Sequence, residues 1–262
     1  VIRSIALSTD FSDAGRIAFI HALRLAVEFK ARLDLIHVRD PHDRADWDKF
    51  PHVRETLQAW GMLPPGASVS QIAGSLGVTV RKVEINDADA ADGLTKYLAE
   101  HRPELLVMAS HGRVGLNRWL AGSVSAEVAM ATDIPTLLFG PEARGFVDAD
   151  TGAIGLSTAT IPVDHEPSPI RALQILQEFF RGFQVDISAL HAGRPGPELG
   201  DAIPVRLVGG DAVDAILAES ARVDLLVMPT AGRHGFMDMI RGSTTELVLH
   251  EAACPILAVP AE

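Results

Sequence analysis

The sequence predicts an α/β fold built twice: two tandem domains, each an open five-stranded parallel sheet with helices on both faces. Three observations carry this expectation. Short apolar runs alternate with segments of helical periodicity, the pattern of βαβ units around a parallel sheet. One string of motifs recurs at a fixed offset, the mark of an internal repeat. A glycine-containing segment follows the fourth apolar run of each copy, where open α/β sheets place their ligands.

The repeat is plainest late in each copy. Glu104-Leu105-Leu106-Val107-Met108 is answered by Asp224-Leu225-Leu226-Val227-Met228, an offset of 120 (224 − 104). The register persists through Gly112 and Gly232, Gly122-Ser123 and Gly242-Ser243, and the strands opened by Pro135 and Pro255. Earlier the offset is 154 (164 − 10): Leu7-Ser8-Thr9-Asp10 aligns with Ile161-Pro162-Val163-Asp164, and Leu35-Ile36-His37 with Ala189-Leu190-His191. The first copy therefore carries 34 extra residues (154 − 120), roughly positions 41–75. This insertion begins rich in Asp and His and then holds Trp47, Trp60 and the turn signal Pro64-Pro65-Gly66. A loop this long is usually structured or functional, so two readings stand: a helical excursion packing on its own domain, or a lid or partner contact. Asp148–Gly152 is turn-rich between Phe146-Val147 and Ala153-Ile154, which predicts a hairpin linker. The expected division is 1–140, linker 141–159, and 160–262.

Strands are expected near 4–9, 32–38, 78–83, 105–109 and 136–139. Runs such as Leu105–Met108 are continuously apolar because a buried parallel strand is covered on both faces. Helices fall between them. Residues 13–29 place Ile17, Ile20, Leu23 and Val27 at helical spacing, and 89–101 does the same with Ala90, Leu94, Tyr97 and Leu98. A further helix opens at Gly122-Ser123 and runs to about Thr132. The second copy repeats the order with strands near 160–163, 184–191, 203–208, 224–228 and 255–259.

Composition sets the class. The 262 residues are 47% hydrophobic and 22% charged, as in a globular chain with a sizeable core. A net charge of −11 argues against binding nucleic acid, which needs a basic face to displace counterions. The single cysteine, Cys254, excludes an intrachain disulfide and suits a reducing, cytoplasmic setting. Residues 1–9 lack a basic region and cleavage signal, and no run of 18 apolar residues occurs. The expectation is no signal peptide and no membrane span.

The segment after the fourth strand carries the chemistry: Ala109-Ser110-His111-Gly112, then nine residues, then Gly122-Ser123-Val124 opening a helix. Glycines permit backbone approaches that a Cβ blocks. The first N–H groups of a helix lack internal partners and point at an anion, with the dipole adding to the attraction. Ser123 adds a hydroxyl. This is the physics of a phosphate cradle in a Rossmann-like, nucleotide-binding sheet. The simpler reading is a helix start, since Ser is a favoured N-cap. The second copy repeats the gap and the Gly-Ser pair, from Pro229 through Gly232 to Gly242-Ser243-Thr244.

This arrangement resembles the signature of the ATP-binding branch of the universal stress protein family: a small residue, two residues, Gly, nine residues, Gly-Ser or Gly-Thr. The family also places an Asp at the end of its first strand, as Asp10 and Asp164 stand here. The resemblance covers nearly all of both copies except the insertion and the hairpin. It implies that Ser8, Thr9, Asp10 and Val38 border adenine and ribose, and that Met108, Ala109, Gly112, Gly122, Ser123 and Val124 line ribose and phosphates. The matching second set is Val163, Asp164, Ala192, Met228, Gly232, Gly242, Ser243 and Thr244. The implied ligand is ATP, or AMP or ADP, with Mg as a possible companion. The family's first signature glycine is Ala109 here, a mild change, but Pro229 in the second copy, which removes an N–H. One competent site and one weakened one are expected.

Other candidates keep two readings each. Asp10 can contact ligand or cap the following helix. His37 and His191 repeat at equivalent strand ends and read as structural or pocket-lining, while His42 and His52 read as solvated. Arg113 and Arg233 can pair with phosphate or simply lie exposed. Cys254 reads as a small buried residue. No P-loop, nucleophile elbow or His-Glu-x-x-His pair occurs, which favours binding over turnover. The resulting expectation is a stress-response sensor or regulator binding an adenine nucleotide. Alternatives are an interaction protein with vestigial pockets, where the resemblance implies pairing through the last strands within the chain and a homodimer of chains, or a slow ATP hydrolase.

Overall fold

The computed structural model describes residues 2–12, 14–39, 47–110, 124–197, 199, 203–230 and 244–261. They fall into two compact units, Val1–Ala109 with Val147–Gly155, and Ser110–Phe146 with Leu156–Glu262.

The first unit runs β1 (Ser4–Ser8), α1 (Ala14–Phe29), β2 (Arg32–Arg39), α2 (Val53–Ala59), α3 (Val69–Gln71), β3 (Thr79–Asn86), α4 (Ala90–His101) and β4 (Leu105–Ala109). A π turn, Ile72–Leu76, extends α3. The strands lie in the order β3-β2-β1-β4, and each neighbouring pair is parallel. Register places Leu7 beside Leu35 on one side and Val107 on the other. Ile5, Ala6 and Leu7 are wholly buried, as are Leu106 and Val107. Successive side chains point to opposite faces, so such runs require cover on both. The edge strand β3 instead exposes Arg81, Lys82 and Glu84, charges that discourage pairing with another sheet.

Helix α1 supplies Ala18, Phe19, Ala22, Leu23, Leu25 and Ala26 to the core. The spacing had pointed to Ile17, Ile20, Leu23 and Val27, yet only Leu23 of these is fully buried. Ile17, Ile20 and Val27 share a side with Arg16, Arg24 and Glu28, and the opposite side, rich in alanine and leucine, turns inward. It ends where Lys30 takes φ +54°, with Ala31 N donating to Ala26 O at 2.9 Å in a Schellman-type closure. Helix α4 begins on Asp89, whose Oδ1 accepts from Ala91 N and Asp92 N at 2.9 and 3.0 Å.

The insertion packs on its own unit. Leu57, Leu63, Ala67 and Ile72 are buried, and Trp60 donates Nε1–H to Ala149 O at 2.9 Å. In the segment around Ala149, Val147 and Ile154 form an antiparallel bridge, and Asp148 Oδ1 accepts from Asp150 N, Thr151 N and the Thr151 hydroxyl.

The second unit contains α5 (Val124–Ala131), β5 (Thr136–Phe139), β6 (Thr158–Pro162), α6 (Ile170–Phe179), β7 (Asp186–Ala192), β8 (Val205–Val208), α7 (Ala212–Ser220), β9 (Leu225–Thr230), α8 (Thr244–Glu251) and β10 (Ile256–Pro260). Strands β10-β9-β6-β7-β8 are parallel, the five-stranded sheet expected of one repeat. The last strands of the two repeats, β5 and β10, pair antiparallel, Leu138 with Ile256 and Thr136 with Ala258. A core of Leu190, Ile216, Leu226, Met228, Val248, Cys254 and Ile256 lies under α7 and α8. Asp211 caps α7 as Asp89 caps α4, accepting from Val213 N at 2.8 Å and Asp214 N at 3.3 Å.

Candidate functional site

In the first unit the strand order β3-β2-β1-β4 reverses direction between β1 and β4, the switch point beyond whose carboxyl ends open α/β sheets hold ligands. Ser8 is half-buried there, Thr9 buried and Asp10 exposed. The ladder runs one residue past β1, Thr9 N donating to Ile36 O at 2.9 Å. The chain then turns. Phe11 N donates to Thr9 Oγ1 at 3.0 Å and Ser12 N to Asp10 Oδ1 at 3.1 Å, with Phe11 at φ +63°. Ser12 Oγ accepts from Gly15 N at 3.3 Å, so the N-terminal turn of α1 is capped by Ser12, while the carboxylate of Asp10 folds onto its own loop.

Val38 and Ala109, both half-buried, and buried Met108 stand at the ends of β2 and β4, the strands flanking β1. The described part of the expected first site, Ser8, Thr9, Asp10, Val38, Met108 and Ala109, therefore gathers at one end of the sheet. Gly93 lets α4 approach β2 and β3: a Cβ there would stand 2.8 Å from Asp87 Cβ and 3.1 Å from Val38 Cγ1. Val124 opens α5 and is exposed. Gly112, Gly122, Ser123, Gly232, Gly242 and Ser243 lie outside the described residues, as do Arg113, Arg233 and His42.

An aromatic group stands beyond β1 and β2. The ring of Phe11 lies 4.2 Å from that of His37, 5.0 Å from Trp47 and 5.9 Å from Phe50. Phe50 meets Phe19 of α1 edge-on at 4.9 Å. Trp47 is held by its Nε1–H on Glu84 Oε1 at 2.7 Å, with Lys82 Nζ 4.9 Å from its ring. The insertion thus brings two aromatic rings to this end of the sheet. His37 donates Nδ1–H to Thr9 O at 2.8 Å, a structural bond.

The second unit repeats this frame with different contents. Val163 N donates to Leu190 O at 2.8 Å, and His191 donates Nδ1–H to Val163 O at 2.9 Å. Asp164 and His165 are exposed, and Asp164 Oδ1 accepts from His165 N at 2.8 Å. The rings of His165 and His191 are 5.8 Å apart. A cleft of about 310 Å³ opens beside them, lined by Asp164, His165, Ser168, Leu173, Leu199 and Ile203. A larger hollow of about 490 Å³ along α6 is lined by Gln174, Gln177, Glu178 and Arg181 together with Phe180 and Phe183. Ala192 is half-buried at the end of β7, and Met228 is buried. Pro229 stands inside β9 beside Val259, where its missing N–H leaves the parallel ladder in place to Thr230. Thr244 opens α8.

Two buried groups are titration-shifted for structural reasons. Burial lowers the His21 imidazole to about 4, against a partial opposing effect of its bond to the Ile17 carbonyl. Burial pushes the Cys254 thiol up to about 12, which leaves it protonated and unreactive as a nucleophile. The residue that sequence reasoning missed is His165. Its signal was present: at the offset of 154 it replaces Phe11, and it follows Asp164 directly.

The sequence matches the model of the universal stress protein family over residues 2–140 and 198–260. It is 28% identical over 142 residues to a universal stress protein of Methanocaldococcus jannaschii, an alignment covering 52% of this chain and 81% of that one. A universal stress protein from Archaeoglobus fulgidus superposes with a TM-score of 0.66 at 20% identity, covering 98% of this chain and 96% of that one. A functionally unknown protein from Pseudomonas aeruginosa PAO1 superposes with a TM-score of 0.65 at 14% identity, covering 100% and 93%. Among the described residues, no helix is long and apolar enough to cross a membrane.

Proposed function

This chain belongs to the universal stress protein family, and on that premise we propose that its first half binds an adenine nucleotide, ATP or else AMP or ADP, and acts as a sensor or regulator in the stress response. The observation that carries the reading is the convergence of the Thr9-Asp10 turn, Val38 and Ala109 at the reversal point of the parallel sheet. In this reading the exposed carboxylate of Asp10 accepts from a ribose hydroxyl, and Ser8, Thr9 and Val38 border the base. Met108 and Ala109 flank the sugar. The backbone N–H groups of Gly112, Gly122, Ser123 and Val124 meet the phosphates, and Mg, where it accompanies ATP, screens the charge of those phosphates.

The corresponding second set, Val163, Asp164, Ala192, Met228, Gly232, Gly242, Ser243 and Thr244, makes the weaker nucleotide site, because Pro229 replaces a glycine at the start of its loop. The cytoplasm is the setting that suits this function.

A second reading has its own observation. The rings of Phe11, Trp47 and Phe50 crowd the space beyond β1 and β2. An interaction protein with a reduced pocket would carry such a plug, and the antiparallel β5–β10 pair would be its assembly element.

Thermal unfolding with and without Mg-ATP separates the two. A ligand at a hundred times its dissociation constant stabilises by about 2.7 kcal/mol. For a protein of this size that is a rise in Tm of roughly 5–10 °C. No shift with ATP, ADP or AMP overturns the nucleotide reading and leaves the interaction reading.

A further inference from the structure

We propose that Asp164, His165 and His191 form a binding site for a divalent transition-metal ion, zinc by preference, at the carboxyl end of β6 and β7. The ligand atoms these three side chains offer all lie within 4.8 Å of one another. Around a tetrahedral zinc with bonds of ~2.0–2.2 Å, neighbouring ligand atoms stand about 3.3–3.5 Å apart. Closing the difference needs small rotations of Asp164 and His165. Both are exposed side chains that can make them, whereas His191 is buried and fixed.

The surroundings orient the set. His191 donates Nδ1–H to Val163 O at 2.9 Å, which leaves the lone pair on Nε2. A carbonyl on the far nitrogen is the usual outer-shell partner of a ligating histidine, fixing tautomer and ring direction. His165 Nε2 lies 3.3 Å from Pro195 O, a second carbonyl that steers the other imidazole. Gly193, at φ +122°, passes close to the His191 ring: a Cβ there would stand 3.6 Å from Nε2. Two imidazoles and one carboxylate suit zinc or a similar borderline metal, whereas Mg and Ca take oxygen ligands. Asp164 and His165 also line the 310 Å³ cleft. Three protein ligands leave a fourth position for water or for an oxygen of a molecule held in that cleft.

The internal repeat supplies a control. At the same places the first half has Asp10, Phe11 and His37. There a phenyl ring stands in place of the third ligand, tilted against the histidine with centroids 4.2 Å apart and enclosed by Trp47 and Phe50. One residue, His165 in place of Phe11, turns an aromatic cluster into a ligand set. The site is independent of the nucleotide reading for the first half.

The test is zinc titration of the full-length, chelator-stripped protein in competition with a chromophoric chelator, followed by Co(II) spectroscopy. The wild type should take up one more zinc ion than His165→Phe, and its Co(II) form should show the d–d bands of a low-coordinate site that the variant lacks. Millimolar Mg should not compete. His165→Phe installs the residue the first half already tolerates; Asp164→Asn, at an exposed position, is the second variant should the first misfold. Equal zinc uptake and unchanged Co(II) spectra in the wild type and the folded variants overturn the proposal.

Discussion

His37 donates its Nδ1–H to the main-chain oxygen of Thr9 at 2.8 Å. His191 repeats the bond to Val163 O at 2.9 Å in the second half. In both, the imidazole of the second strand of a repeat fastens the end of the first strand, just before the chain leaves the sheet. Replacement of His37 by Ala removes this bond and the contact with Phe11. The expected cost is about 1–3 kcal/mol, from one hydrogen bond and one ring pair. Urea unfolding checks it, and a loss under 0.5 kcal/mol would show that the turn holds itself.

His21 gives the first unit an acid sensitivity. Its Nδ1 donates to Ile17 O at 2.7 Å, and its Nε2 accepts from Val147 N at 3.0 Å, so the ring is held neutral. Burial lowers its folded pKa to about 4, below the ordinary 6.5. The unfolded chain then binds the proton more readily. Stability from this group is complete above pH 6.5 and falls as pH drops toward about 4, by up to about 3 kcal/mol. The slope in that window should flatten in His21→Gln, measured as stability against pH. An unchanged slope would assign the acid loss to other groups.

Asp224 ties the start of β9 to the start of β6. Its Oδ2 accepts from Ser157 N, Ser157 Oγ, Thr158 N and Thr158 Oγ1 at 2.8–3.0 Å. Burial raises its pKa, but these donors outweigh that and hold the carboxyl below its ordinary value. Glu104 performs the same task in the first half, accepting from Arg3 N and Ser4 N. Asp224→Ala strands two backbone N–H groups and should cost about 2–4 kcal/mol, with Asp224→Asn recovering part of it. Chemical denaturation of both variants reads the difference. Wild-type stability in Asp224→Ala would deny the carboxylate its role.

Gly152 marks where the hairpin meets the insertion. It has φ +69°, and a Cβ would stand 2.6 Å from Trp60 Cδ2. Arg24 Nε also donates to its carbonyl at 2.7 Å. Gly152→Ala should therefore cost about 2–4 kcal/mol, from left-handed backbone strain plus the displaced indole. Tryptophan fluorescence should shift as the Trp60 ring moves. A variant as stable as the wild type, with unchanged emission, would mean that the hairpin slides free of Trp60.

The repeat, the strands and their order of appearance were legible in the sequence because a strand covered on both faces must be a continuous apolar run, as Leu105–Met108 and Leu225–Met228 are. The inert character of Cys254 was legible too, since a lone apolar-flanked cysteine at a strand start is buried. The inward face of α1 was not, because Ile17, Ile20 and Val27 share the outer side with Arg16, Arg24 and Glu28, and apolar residues on both sides blur the period. Tertiary structure alone decided what stands at the end of each first strand. Trp47 and Phe50 reach Phe11 from across the insertion, and His191 reaches Asp164 and His165 from the next strand. Such groupings join residues distant in the chain, and only the strand register, set by burial of whole sheets, brings them within a few ångströms.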